Sequence, residues 1–322
     1  MSRTALSVIV STLFMMGCAT PSSDGTPSTA RAPARTSASS TSSSGSSAGE
    51  TKPIPEKYAA EIARVQMVGQ KIVQHDKWAW IATDLAADAG KLVRGKIAGW
   101  IIEEKGQGAI VHFYSPDDTP ASVVRVVFPG QTESQGRLED GALPLSPTML
   151  EAVRAREVAQ VTKFPQMTDA YNTVVLPGSV MGKEGWLVYM LAASKRQGEV
   201  IIGGHTRMHI SSEGKVLQVT PLSRSILRMF PGRDLPKDAQ SAGLFVTHIV
   251  SPLPVETYVY TSKTYKTDIL IMTESGMWKA SAAGNFSYVG DAPPERPLDF
   301  WRILPLALGY KNTQGRAACP SR

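Results

Sequence analysis

An α+β fold, N-terminal helices followed by a large, mainly antiparallel β-sheet body, is what three patterns in this sequence predict. Apolar residues recur at helical spacing between residues 58 and 89. The period then turns alternating after Gly90, and from Tyr171 onward the apolar runs are short and bounded by turn residues. Short strands at hairpin spacing pair antiparallel, which favours α+β over a doubly wound parallel sheet. The 322 residues are 42% hydrophobic and 19% charged, a globular composition.

The elements follow in chain order. Pro53 and Pro55 precede a helix with Glu56 in its first turn and Tyr58, Ile62, Val65, Gly69 and Ile72 along one face. A second helical stretch carries Trp78, Ile81, Leu85 and Ala89, and Gly90 stops it. One unbroken helix over both would measure about 50 Å at 1.5 Å per residue, so a break is expected near His75-Asp76, with those two side chains solvated. Strands are predicted at 97–103, 109–114 and 123–128, the first two joined by Lys105-Gly106-Gln107-Gly108. A helix over 147–162 starts with Pro147 and a Thr148-x-x-Glu151 capping box. Further strands are predicted at 172–176, 185–192, 199–210, 215–220, 244–250, 255–263, 267–273 and 276–281. Trp186–Leu191 is apolar on both parities and should be a central strand. The body, 54–322, reads as a single globular domain, with a division into two sub-domains near 140–170 left open. An apolar patch, Phe300-Trp301-x-Ile303-Leu304, is expected to dock on it.

The first residues have a different character. Arg3 is followed by an apolar run, Ala5–Met16, too short to span a bilayer, which takes about 20 residues. That is the length of a signal-peptide core, placing a cleaved signal over 1–17. The junction Met15-Met16-Gly17-Cys18 resembles the lipobox of bacterial lipoproteins, with Met15 where Leu is usual. The resemblance covers the leader alone. It implies that Cys18 is lipidated and becomes the mature N-terminus, holding the protein to the bilayer by its acyl chains. Ala19 rather than Asp after the cysteine favours the outer membrane, with the body in the periplasm.

Thirty of the 35 residues in 19–53 are Ala, Gly, Pro, Ser or Thr, a composition that cannot bury enough surface to fold. With Cys18, this makes 18–53 a lipidated, disordered linker. As a coil it reaches about 30–35 Å, at roughly 5–6 Å times the square root of its length. Cys18 and Cys319 are the two cysteines of the chain. With the first lipidated, Cys319 is a free tail thiol or one half of an intermolecular disulfide. Residues 51–322 hold 31 basic and 26 acidic residues with no basic run interleaved with aromatics, so nucleic acid is not an expected partner.

Catalytic motifs are scarce. Residues 51–322 contain no Gly-x-Ser-x-Gly, HExxH or Cys-x-x-Cys sequence. Gly178–Glu184 is one residue short of a phosphate loop, and Ser212-x-x-Lys215 lies across a turn rather than on a helix. No metal or other cofactor is called for. His205 and His209 sit four residues apart on a strand, about 13 Å, too far to share a zinc ion; with Arg207 they read as a polar strand face. His248 occupies the apolar parity of 244–250, where a core histidine is the ordinary reading. A functional reading pairs it with Glu256 on the next strand, or with Asp76, as a general base. His75, Asp76, His205, His248 and Glu256 are thus the candidate catalytic residues, without an identified nucleophile. Arg224, Arg228, Arg233 and Lys237 form a basic cluster in a segment without strand character, either a solvated loop or a surface for an acidic partner or lipid headgroup.

Two functions compete. One is an envelope lipoprotein whose tethered body binds a protein or envelope component. The other is a periplasmic hydrolase with a His–carboxylate site, a reading that convergence of three of the five candidates into one cleft would favour and scattering over the surface would sink.

Overall fold

A computed structural model describes residues 51–131, 136–230 and 243–292. Cys18, most of the tether, Arg233, Lys237, Phe300–Leu304 and Cys319 lie outside the described residues. The fold is α+β and sheet-rich. Helix α1 (Glu56–Asp88) precedes strands β1 (Gly99–Lys105), β2 (Gly108–Tyr114), β3 (Ala121–Phe128) and β4 (Arg137–Pro144), an antiparallel sheet in sequential order. Helix α2 (Pro147–Val161) follows, then β5 (Tyr171–Pro177), β6 (Trp186–Ala192), β7 (Val200–Gly203), β8 (Thr206–Ile210) and β9 (Val216–Pro221). Strands β5-β6-β8-β9 make a second antiparallel sheet, while β7 pairs with β10 (Ile226–Met229). The last sheet runs β11 (Leu244–Thr247), β12 (Ile269–Thr273), β13 (Gly276–Ala280), β14 (Phe286–Gly290), with helix α3 (Thr257–Thr264) between β11 and β12.

Helix α1 does not break. It runs 33 residues through His75 and Asp76, and its length has a physical use. Ile62 and Val65 pack in the core of the β11–β14 sheet. Val68, Ile72 and Val73 meet Leu187, Tyr189 and Leu191 of β6. Trp78, Ala82 and Ala86 meet Val111, Val126 and Phe128 of the first sheet. Three successive stretches of one helix therefore each face a different sheet, and the burial along its whole length stabilises it without a bend. The expected kink rests on the size of a compact domain, and a helix shared by three sheets escapes that limit.

Other expectations need correction. The stretch 255–263 is not a strand: Thr257–Thr264 is helix α3 despite its β-favouring Tyr, Val and Thr. Strands β11 and β12 are parallel, and a parallel pair needs a crossover, which α3 supplies. Inside the helix, Thr261 Oγ1 donates to the Thr257 carbonyl (2.9 Å) and Ser262 Oγ to that of Val259 (3.2 Å), satisfying hydroxyls that have no access to water.

The stretch 199–210 is two strands in two sheets. It divides at Gly203 and Gly204, whose φ of +86° and +74° suit glycine. The segment around Arg228 is strand β10, not a strandless loop. Helix α2 starts at Pro147 as expected, but its cap is Ser146, which accepts from the Met149 N–H at 3.2 Å. The turns at 105–108 and 274–276 are hairpins, and β6 is buried at every residue between β5 and β8.

Candidate functional site

Four of the five candidate residues gather around α3, a helix buried on nearly every side. Its residues reach in three directions, and two of the candidates, Asp76 and His205, share one partner.

Glu256, 1% exposed, precedes the helix and faces β6 and β8. Its Oε1 accepts from Arg207 Nη1 at 2.6 Å and from the Tyr189 hydroxyl at 2.9 Å. His205 precedes β8, and Arg207 and His209 share one face of the strand. Their parity on β8 matches that of Leu187, Tyr189 and Leu191, which pack toward α1. Arg207 also lies 3.2 Å from Met181 Sδ, and His209 Nε2 is 2.8 Å from the Glu184 carbonyl. An ion pair this deep has lost most of its water, so its attraction goes largely into offsetting desolvation.

Asp76 lies on α1 and is half-buried. Its carboxylate accepts from Asn172 Nδ2 and from the Tyr260 hydroxyl, both at 3.2 Å. Burial raises its pKa to about 6, and the two hydrogen bonds oppose that rise. His205 stands against the same tyrosine, ring centroids 5.9 Å apart and edge to face. It sits at the glycine break before β8, where its Nδ1 accepts from the Ala192 N–H at 3.0 Å. Burial alone lowers its pKa to about 4, so the ring is neutral near pH 7. Tyr260 thus brings Asp76 and His205 together, in the core rather than in a cleft.

His248 follows β11, which stops at Thr247 rather than at residue 250, and is buried. It does not pair with Glu256, which lies on no strand and is committed to Arg207. Instead His248 Nδ1 is 3.1 Å from the Tyr258 hydroxyl and Nε2 is 2.8 Å from Ser251 Oγ. A Ser–His contact invites a nucleophile reading, and the next bond decides against it. Ser251 Oγ spends its one proton on the Leu253 carbonyl at 2.6 Å. It must therefore accept from His248 Nε2–H, leaving Nδ1 to accept from Tyr258. A general base would need its free lone pair aimed at the serine, the reverse of this arrangement. Burial lowers the His248 pKa to about 4, and through-space attraction from Glu256 partly opposes it.

His75 points away from the other four. It is 3% exposed, not solvated, and its Nε2 is 2.8 Å from Glu104 Oε1 on β1, with the Lys71 ammonium 2.7 Å from both Glu104 oxygens. Burial lowers the His75 pKa, while its hydrogen bond holds Glu104 down to about 2. A narrow cavity beside His75 is also lined by Trp100, Arg156 and Thr173. Arg156, unnoticed in the sequence, is a buried arginine stacked 4.0 Å over the Trp100 ring and donating to the Thr173 carbonyl at 3.3 Å. Helical spacing gives no cue to it, since charged residues on α2 are expected to face water.

A larger surface cavity, ≈ 360 Å³, is lined by Ser194, Arg196, Gly198, Glu199, Val200 and Tyr265, none of them a candidate from the sequence. The buried Glu199 accepts from Ser194 Oγ and from Arg228 at 3.2 Å. The Ser194 hydrogen bond holds its pKa below the ordinary value. Arg228, half of the described basic cluster, is therefore paired with a carboxylate, while Arg224 is exposed. Among the described residues, no three His, Cys, Asp or Glu side chains are grouped to hold a metal ion, and no helix is long and apolar enough to cross a membrane. No family model, curated protein or solved structure matches the chain.

Proposed function

We propose that this protein is an envelope lipoprotein: Cys18 is acylated, the Ser/Thr/Pro/Ala-rich segment is a tether, and the folded body binds a protein or another envelope component. The observation that carries the reading is the leader, whose charged start, 12-residue apolar core and Met15-Met16-Gly17-Cys18 junction are followed at once by low-complexity chain. The architecture is compatible with it. The described residues begin at 51, where Lys52 is bridged to Tyr288 on the edge strand β14 (N···O 2.9 Å) and α1 starts at Glu56. A binding role rather than catalysis is favoured by the five candidate residues. Each is engaged by its own neighbours in the core, and the one Ser–His contact among them is oriented the wrong way for attack.

The test is co-purification from gently solubilised envelopes, comparing the wild type with Cys18→Ser. A specific protein or envelope polymer enriched with the tethered form is the expected result. Recovery of both forms alone, together with turnover of an envelope substrate that is lost in His248→Ala, would overturn the binding reading in favour of a hydrolase.

A further inference from the structure

The surface cavity beside β7, ≈ 360 Å³, falls in the size range of small-ligand pockets, about 300–1,000 Å³. The loop 194–200, strand β10 and the residues ending α3 meet there. The loop is tied to itself: the Arg196 N–H donates to Ser194 Oγ at 2.9 Å, and the Glu199 N–H to the Arg196 carbonyl at 3.3 Å. Glu199, whose side chain is 1% exposed, accepts from Ser194 Oγ and, through both carboxylate oxygens, from Arg228 Nη1 at 3.2 and 3.4 Å. The polar wall of the cavity is therefore set by the protein's own bonds before any ligand arrives.

These segments carry four cationic side chains, Lys195, Arg196, Arg228 and Lys266, against one carboxylate, Glu199. That carboxylate is already engaged, so it offers little to a cation. Arg228 makes both of its contacts to Glu199 with one nitrogen and stays 41% exposed, and a guanidinium carries five N–H donors. Lys195, Arg196 and Lys266 are exposed. Four cations against one carboxylate favour an anion of more than one charge, and arginine suits phosphate oxygens in particular.

Lys266 holds its place against the preference of its backbone. Its φ of +50° makes it the one residue other than glycine in the left-handed region among the described residues. It follows the C-cap Tyr265, and the Thr267 N–H closes the turn onto the Ser262 carbonyl at 3.0 Å. Glycine is the usual residue at this position because it takes that φ without strain. A lysine there gives up stability, part of it recovered from the helix C-terminus, and it adjoins the cavity-lining Tyr265.

We propose that this cavity binds a phosphate group, free or as a lipid headgroup, with Arg196, Arg228 and Lys266 as its cationic contacts. The site belongs to the folded body and does not depend on acylation of Cys18.

The test uses the full chain with Cys18→Ser, so that an acyl anchor cannot bring it to a membrane. Calorimetric titration with inorganic phosphate and flotation with phosphatidylglycerol vesicles form its two arms. Binding in the first assigns a free phosphate, and binding in the second alone a headgroup; binding in neither overturns the proposal. Lys266→Gly should weaken the binding several-fold and yet raise Tm, because glycine relieves the left-handed backbone. Arg196→Gln, on the exposed loop, should weaken it likewise with Tm unchanged. Lys215→Gln, in the β8–β9 turn, removes a charge elsewhere and should leave binding intact. Unchanged binding in both site variants, or an equal loss in Lys215→Gln, would overturn the proposal and reduce the effect to net charge.

Discussion

Asp76 and the two histidines nearest α3 give the core opposite responses to pH. The carboxyl of Asp76 titrates at about 6 in the fold against 3.8 as its ordinary value. Between those two pH values the unfolded chain has released a proton that the folded chain still holds, so stability falls as pH rises through the window. His205 and His248 titrate at about 4 against 6.5, and for them stability is lost as pH falls through that window. Removing the acid separates the two effects. Asp76→Asn should raise stability at pH 7 by on the order of 1–3 kcal/mol, since each tenfold change in proton affinity is worth about 1.4 kcal/mol and an amide oxygen keeps one of the two hydrogen bonds. The gain should vanish near pH 4. Urea unfolding at both pH values checks it, and a loss of stability at pH 7 would contradict the raised pKa and show that the ionised carboxylate is stabilised by its two hydrogen bonds.

The crossing of α1 and α3 depends on Gly69. A Cβ there would lie 2.5 Å from both the Glu256 carbonyl oxygen and Val259 Cβ. Gly69→Ala gains about 1 kcal/mol of helix propensity, but must separate two helices whose contact is partly backbone, an overpacking cost of about 1–3 kcal/mol or more. The clash is expected to win, giving a lower Tm in calorimetry; a higher Tm would mean that the helices can slide apart freely. The same region marks the limit of reading elements from sequence. The periods of α1, the β1–β2 hairpin and β6 are legible because each pattern has one local cause, burial of a face. Strand and helix at 257–264 are not distinguishable that way. Thr, Tyr and Val favour strand, and the helix exists because β11 and β12 run parallel, a relation between residues 25 positions apart, as in Leu244 and Ile269. Likewise, His248 is legible as a core histidine from its parity, whereas its partners are not. Glu256 reads as a neighbour along the sheet and instead serves Arg207, on the second sheet.

At the scale of the whole molecule, α1 acts as a spine: three sheets dock on successive thirds of it, and the polar residues between them are absorbed in joining the layers. Asp76 and His205 meet at Tyr260, Glu256 joins α3 to β6 and β8, and His75 joins α1 to β1. With the candidate residues used in this way, the proposed anchor is the central claim. Membrane fractionation with intact-mass analysis of the mature N-terminus tests it most directly. The wild type is expected to sediment with envelopes, begin at Cys18 and carry the mass of acyl chains, while Cys18→Ser is released by washing. A protein that begins elsewhere without added lipid mass, or a Cys18→Ser variant that remains with the membrane, would contradict it.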